Sequence, residues 1–315
     1  MSTNNHCPLI TKYRPISFDE VIGNQLTIQA LKEAIHSESK PHCFLFTGGT
    51  GIGKTTLARI IASEVNAFIV EINAAVENSV ESTRRLTELF SFRPIMTQPC
   101  SMCIIDEAHS LSRQAWSPLL KLTEEPPSFL YIALCTTEPQ KVPDTIKSRA
   151  YPVTLKMLKP QEIEELLEVV IQVEGWKVEN SVFQGIVQAS EGSARKALSI
   201  LQAGHALKNR DELSQIILTV ESEDNPAIKL AQALLKGNRN WRAISQLIKE
   251  IEGGSEEDTI FTITRYLASK LPISEEEQAQ HIYRLLRSFT DTNSWDHKVQ
   301  FYTAIGKCLW GQLPF

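Results

Sequence analysis

The sequence predicts an α/β domain on a parallel sheet, followed by an all-helical half. Three observations predict it. Short apolar runs alternate with helical segments between residues 43 and 155. A glycine-rich turn separates the first run from the first helix. Beyond about Lys156 the strand-like runs stop and helical periodicity takes over. Alternation of the first kind implies strands in parallel, covered by helices.

The elements follow in order. Cys43–Thr47 (CFLFT) is a short buried-strand run, and a helix is expected near Thr55–Val65. Phe68–Ile72 (FIVEI) is the second strand, and residues near Val80–Phe90 show helical spacing. Met102–Ile105 runs apolar into two acids. Gln114–Glu124 reads helical and stops at Pro126-Pro127. Leu130–Cys135 and Tyr151–Leu155 complete five strands. Pro160 opens a helix with Glu162, Glu164 and Glu165 near its start, where the helix dipole favours acids. Two more helices reach about Lys208, and Asn209-Arg210-Asp211 is a polar hinge. The remainder reads helical, punctuated by Gly237, Gly253-Gly254 and Leu271-Pro272.

Composition narrows the function. The chain has 315 residues with 42% hydrophobic, enough for real cores. Its formal net charge of −5 excludes nucleic-acid binding by bulk positive charge, so such contact needs a local patch. No long apolar run suggests a membrane span and MSTNNHCPLI does not read as a signal peptide, so a cytoplasmic protein is expected. Cys100 and Cys103 form C-x-x-C, but a zinc site needs a second ligand pair. The nearest candidate is His109 alone, so two core thiols are the expectation.

The strongest motif is Gly48-Gly49-Thr50-Gly51-Ile52-Gly53-Lys54-Thr55, which fits G-x-x-x-x-G-K-[ST]. The glycines let backbone N–H groups turn inward around phosphate oxygens, and the next helix points its positive end at them. Gly49 to Thr56 are therefore candidate nucleotide contacts. Lys54 supplies charge to the β- and γ-phosphates, and the Thr55 hydroxyl suits Mg²⁺. Ile104-Ile105-Asp106-Glu107 delivers two acids to the sheet's carboxyl edge, where open α/β folds bind ligands. Asp106 would hold Mg²⁺ through water, and Glu107 would orient or deprotonate the attacking water. His109 next door reads as a loop histidine. These residues point to a P-loop ATPase.

Further segments carry a resemblance. They are Lys12-Tyr13-Arg14-Pro15, Phe18, Val21-Ile22-Gly23, Ser148-Arg149, and Gly192-Ser193-Ala194-Arg195-Lys196-Ala197-Leu198. With the P-loop they resemble the AAA+ clamp-loader ATPases over about residues 9–208. Leu119–Pro127 and Thr136–Arg149 are similar to the bacterial gamma/tau subunit, and Glu71–Ala75 to small subunits of replication factor C. The resemblance implies an AAA+ RecA-like domain over 1–156, a helical lid over 157–208 and a helical oligomerising collar over 209–315. It assigns Thr137 to sensor 1 and Arg195 to sensor 2. It makes Arg149 an arginine finger acting on a neighbouring subunit. Tyr13, Arg14, Pro15, Val21 and Ile22 become the adenine side of the pocket.

The implied function is an ATP-driven motor subunit that opens a sliding clamp and loads it onto primer–template DNA. The implied partners are related or identical subunits in a pentameric ring or spiral, the clamp and the DNA, with ATP and Mg²⁺ bound. Arg84, Arg85 and Arg113 are candidate DNA contacts, and Leu89-Phe90-Ser91-Phe92 a candidate clamp contact. Two departures stand out. Ala150 replaces the cysteine usual after the finger, a version resembling RarA-type recombination ATPases, which remain an alternative beside a non-hydrolysing structural subunit. Asn66 leads almost directly into Phe68, leaving no room for the four-cysteine zinc module of the bacterial subunit.

Overall fold

The structure is a computed structural model. It describes residues 7–76, 99–209, 212–214, 216–217, 220, 225–237, 240–251, 256–271, 274–290 and 296–311. The helical span expected near 80–90 lies outside these residues. The chain divides into two compact units, residues 1–208 and 209–315.

Five strands form the sheet of the first unit: β1 (Cys43–Thr47), β2 (Ala67–Asn73), β3 (Cys100–Asp106), β4 (Leu130–Thr136) and β5 (Tyr151–Thr154). Their order is β2-β3-β4-β1-β5, and every neighbouring pair is parallel. A parallel sheet sends all its carboxyl ends to one edge, and the crevice there is where such folds bind ligands.

Alternation along the strands builds two cores. Side chains of a strand point to opposite faces in turn. Phe44, Phe46, Met102, Ile104 and Cys135 therefore share one face, under α2 (Gln25–His36) and α3 (Lys54–Glu64). Cys43, Leu45, Cys103, Ile105 and Leu134 share the other, under α4 (Trp116–Glu124) and α5 (Asp144–Lys147). Both faces are buried, which is why β1 and β4 read as continuous apolar runs. The same alternation decides the C-x-x-C. Cys100 packs against the first core and Cys103 lies in the second, so the two thiols sit on opposite faces of β3. Burial pushes the Cys43 and Cys103 thiols up to about 12.

Among the described residues this unit also holds α1 (Leu9–Lys12), α6 (Pro160–Glu174), α7 (Asn180–Ser190) and α8 (Ala194–Gly204). Pro160 occupies the first turn of α6, and the Lys159 N–H donates to Glu162 Oε2 at 2.7 Å. Gly175, with φ 69°, ends the helix. The Leu158 N–H donates to the Gly192 carbonyl at 3.0 Å, tying the residues before α6 to the turn between α7 and α8. The Leu9 N–H donates to Gln202 Oε1 at 2.8 Å, fixing the N-terminal segment to α8.

The second unit contains α9 (Pro226–Leu235), α10 (Trp241–Ile251), α11 (Glu256–Lys270), α12 (Glu276–Thr290) and α13 (His297–Trp310). Its core draws on each of them, through Ile228, Ile244, Leu267, Phe289 and Phe301. Asn225 and Asp296 cap α9 and α13 by accepting first-turn N–H groups. Among the described residues no helix is long and apolar enough to cross a membrane.

Candidate active site

The glycine-rich turn joins β1 to α3. Gly48 takes φ 141° and Gly51 φ 71°, conformations that L side chains rarely adopt. A Cβ at Gly51 would stand 2.5 Å from Ser193 Oγ and 2.9 Å from Arg195 Cβ. The turn is thus packed directly against the start of α8. The Arg195 N–H donates to the Gly51 carbonyl at 3.2 Å.

Helix α3 begins at Gly53, itself left-handed, with no side-chain cap. Its first N–H groups therefore open onto the loop with the positive end of the helix dipole behind them. Lys54 is only 6% exposed. Its Nζ donates to the carbonyls of Gly48 at 2.9 Å and Gly49 at 2.7 Å. Burial lowers its pKa, opposed chiefly by the nearby Glu107 carboxylate.

Thr55 Oγ1 donates to Asp106 Oδ2 at 2.9 Å, bridging the first turn of α3 to the end of β3. Glu107 follows with φ 51° and ψ 42°, a left-handed conformation uncommon outside glycine and enriched at functional sites. Its N–H donates to Asp106 Oδ1 at 3.0 Å. One turn thus holds the two carboxylates.

These groups line one cavity of about 680 Å³, within the range of small-molecule sites. The loop contributes Thr50, Gly51, Ile52 and Gly53, and α3 contributes Lys54, Thr55 and Thr56. Asp106, Glu107 and Arg195 line it as well. Tyr13, Arg14, Pro15, Val21 and Ile22 form another part of its wall. Tyr13 Oη donates to Glu174 Oε1 at 2.6 Å, and Lys12 Nζ donates to the same oxygen at 2.7 Å. Burial, followed by that bond, pushes the Tyr13 phenol up to about 12, and the two donors hold the Glu174 carboxyl below its ordinary value.

Other expected residues lie elsewhere. Gly49 does not line the cavity, although its carbonyl receives Lys54. Thr137 directly follows β4 and does not line it. Arg149 follows α5, away from the cavity wall, and pairs with Glu124 at 2.9 Å. Arg113 is exposed just before α4. Arg84, Arg85 and Leu89–Phe92 lie outside the described residues.

The structure also adds wall residues that the motifs do not mark. Leu166, Val169 and Val170 of α6 line the cavity. Val169 is 49% exposed, an apolar residue left out of the core. Its signal was present in the sequence: α6 carries an apolar stripe wider than one core-facing face requires. Asn73, paired in register with Asp106, lines the cavity too.

The fold and this site define a P-loop nucleotide-binding protein of the AAA+ type. Solved structures agree on the fold. The Thermotoga maritima RuvB Holliday junction branch migration motor aligns with a TM-score of 0.53 at 22% identity, over 72% of this chain and 80% of that one. The profile of the family described as DNA polymerase III, delta subunit, matches residues 67–159. The replication factor C small subunit of Methanococcus vannielii is 32% identical, over 86% of this chain and 88% of its own length. The DNA polymerase III subunit tau/gamma of Haemophilus influenzae is 30% identical, over 73% of this chain. The chain spans 37% of that bacterial relative and 40% of the Escherichia coli tau subunit. The chain belongs to the clamp-loader AAA+ ATPase family.

Proposed function

We propose that the chain is an ATP-hydrolysing motor subunit of a sliding-clamp loader acting on primer–template DNA. The observation that carries this reading is the single cavity on which Lys54, Thr55, Asp106, Glu107 and Arg195 converge. Family membership supplies the class of work.

Each residue has a task. The loop N–H groups and the α3 dipole bind the phosphates of ATP, and Lys54 moves its charge from the loop carbonyls to the β- and γ-oxygens. Thr55 and Asp106, already in contact at 2.9 Å, suit a hydrated Mg²⁺, whose ligands are hard oxygens. A Mg²⁺ ion held there would supply positive charge against the negative charge that develops during phosphoryl transfer. Glu107 orients the attacking water and accepts its proton, and Thr137 supplies a polar group from the β4 end. Arg195 reaches the nucleotide from residues 157–208, which act as a lid. Arg149, on the outer surface after α5, completes the site of an adjacent subunit, and residues 209–315 form the oligomerising collar. ATP closes the subunits into a spiral that opens the clamp. Primed DNA then triggers hydrolysis and release. Arg84, Arg85 and Arg113 contact the DNA backbone, and Leu89–Phe92 the clamp.

The test is steady-state ATP hydrolysis with and without primer–template DNA, beside Lys54→Ala. Stimulation by primed DNA that is absent in Lys54→Ala supports the reading. A rate no higher than that of Lys54→Ala, with clamp and DNA both present, refutes the motor role.

A further inference from the structure

The residue after Ala108 joins the turn carrying Glu107 to the loop that leaves β4. His109 is 13% exposed. Its Nδ1 lies 3.0 Å from Thr136 Oγ1, and that oxygen also accepts the Glu138 N–H at 3.0 Å. The other ring nitrogen, Nε2, faces Glu138 Oε1 at 3.4 Å. Glu138 is itself held by Lys141 Nζ at 2.9 Å. The ring is thus fixed on the β4 side by two successive contacts. The same nitrogen, Nδ1, also lies 3.5 Å from Glu107 Oε2. Glu107 meanwhile lines the cavity.

The arrangement is a brace. The left-handed backbone of Glu107 fixes where its side chain starts but leaves its rotamers open. Glu107 lines the cavity while its Oε2 lies beside the imidazole. A short polar chain thus runs from Glu107 through His109 to Thr136, the residue before Thr137.

We infer that His109 is a positioning residue for Glu107, holding its carboxylate toward the cavity and linking it to the loop that begins at Thr136. The inference rests on the reading of Glu107 as the group that orients the attacking water. His109 does not touch the substrate. It narrows the directions that Glu107 samples, and misplacing a reacting group by about 1 Å costs on the order of 100-fold in rate.

The two ring nitrogens make the inference separable from a merely structural role. Asparagine places its amide where Nδ1 stands, keeping reach to Thr136 and Glu107. Glutamine places its amide where Nε2 stands, keeping reach to Glu138 alone. The experiment is steady-state ATP hydrolysis by the full chain with Mg²⁺ and primer–template DNA. It compares wild type, His109→Ala, His109→Asn, His109→Gln and Glu107→Gln. Active sites are counted by nucleotide titration, so that any misfolded fraction is removed from kcat.

His109→Ala should lose roughly 10- to 100-fold in kcat with KM nearly unchanged. His109→Asn should recover most of that loss, and His109→Gln should resemble the alanine variant. In a Glu107→Gln background, His109→Ala should cost little more. An unchanged kcat in His109→Ala overturns the inference. A loss confined to KM, or equal rescue by Asn and Gln, overturns it too. A wild type no faster than Glu107→Gln overturns instead the reading of the site as a hydrolase, and this inference falls with it.

Discussion

Substituting Gly51 by alanine probes the contact between the phosphate loop and α8 with a single methyl group. The residue has φ 71°, and the added Cβ meets Ser193 Oγ at 2.5 Å and Arg195 Cβ at 2.9 Å. A left-handed conformation costs an L residue roughly 1–2 kcal/mol. Overpacking a filled site adds about 1–3 kcal/mol. The total is about 2–5 kcal/mol. If the loop relaxes in the free protein, the whole cost falls on binding, a loss of roughly 30- to 4000-fold in affinity. If the loop stays wound, the cost appears as lowered stability instead. Both are measured, by titrating a fluorescent ATP analogue and by thermal unfolding. A third sample separates strain from crowding. Ser193→Ala removes the atom at 2.5 Å and leaves the backbone strain in place. Gly51→Ala with Ser193→Ala should therefore be less damaged than the sum of the single variants, by about 1 kcal/mol. Wild-type affinity and stability in Gly51→Ala, or strict additivity in the pair, would refute the packing argument.

Three other outcomes are expected. Arg149→Ala should abolish DNA-stimulated turnover with ATP affinity nearly intact, because Arg149 does not line the cavity of its own chain; equal loss of both in parallel assays counts against a trans role. The Tyr13 phenol should titrate near pH 12, later than an ordinary tyrosine; the folded state then holds a proton that the unfolded state has lost, so stability falls as pH rises from about 10 to about 12. Difference absorbance should show Tyr13→Phe deleting that late titration and Glu174→Gln moving it lower. Alkylation followed by mass spectrometry should modify exposed Cys7 quickly and buried Cys43, Cys103 and Cys135 only on unfolding; early labelling of Cys103 would contradict its place in the second core.

The centre of the sheet was legible because β1, β3 and β4 are buried on both faces. Cys43–Thr47 and Leu130–Thr136 are apolar almost without interruption, and no other element of this length suits such runs. The phosphate loop and the Asp106-Glu107 pair were legible because their chemistry is contiguous in the chain. What stayed hidden depends on distant partners. Nothing near Glu174 announces Tyr13, 161 residues away. Nothing near Gly51 announces Ser193. The wide apolar stripe that holds Val169 is readable in the chain, but the wall it serves is not. His109 reads as a loop histidine because its partner Thr136 is 27 residues further on.

Lys54 spends its hydrogen bonds within its own loop, on the carbonyls of Gly48 and Gly49. The loop's own carbonyls therefore compete with an anion for the ammonium group. An incoming anion must exchange partners with two peptide oxygens rather than simply neutralise a waiting cation. An anionic oxygen adds Coulomb attraction to the ammonium that a neutral carbonyl lacks, so the exchange favours acceptors of high charge density. A chloride ion or a lone phosphate engages fewer of the surrounding donors at once. A polyphosphate also engages the N–H groups of the loop and the start of α3 together. Selectivity for the chain of phosphates over its fragments is in this sense already written into the resting position of one ammonium group.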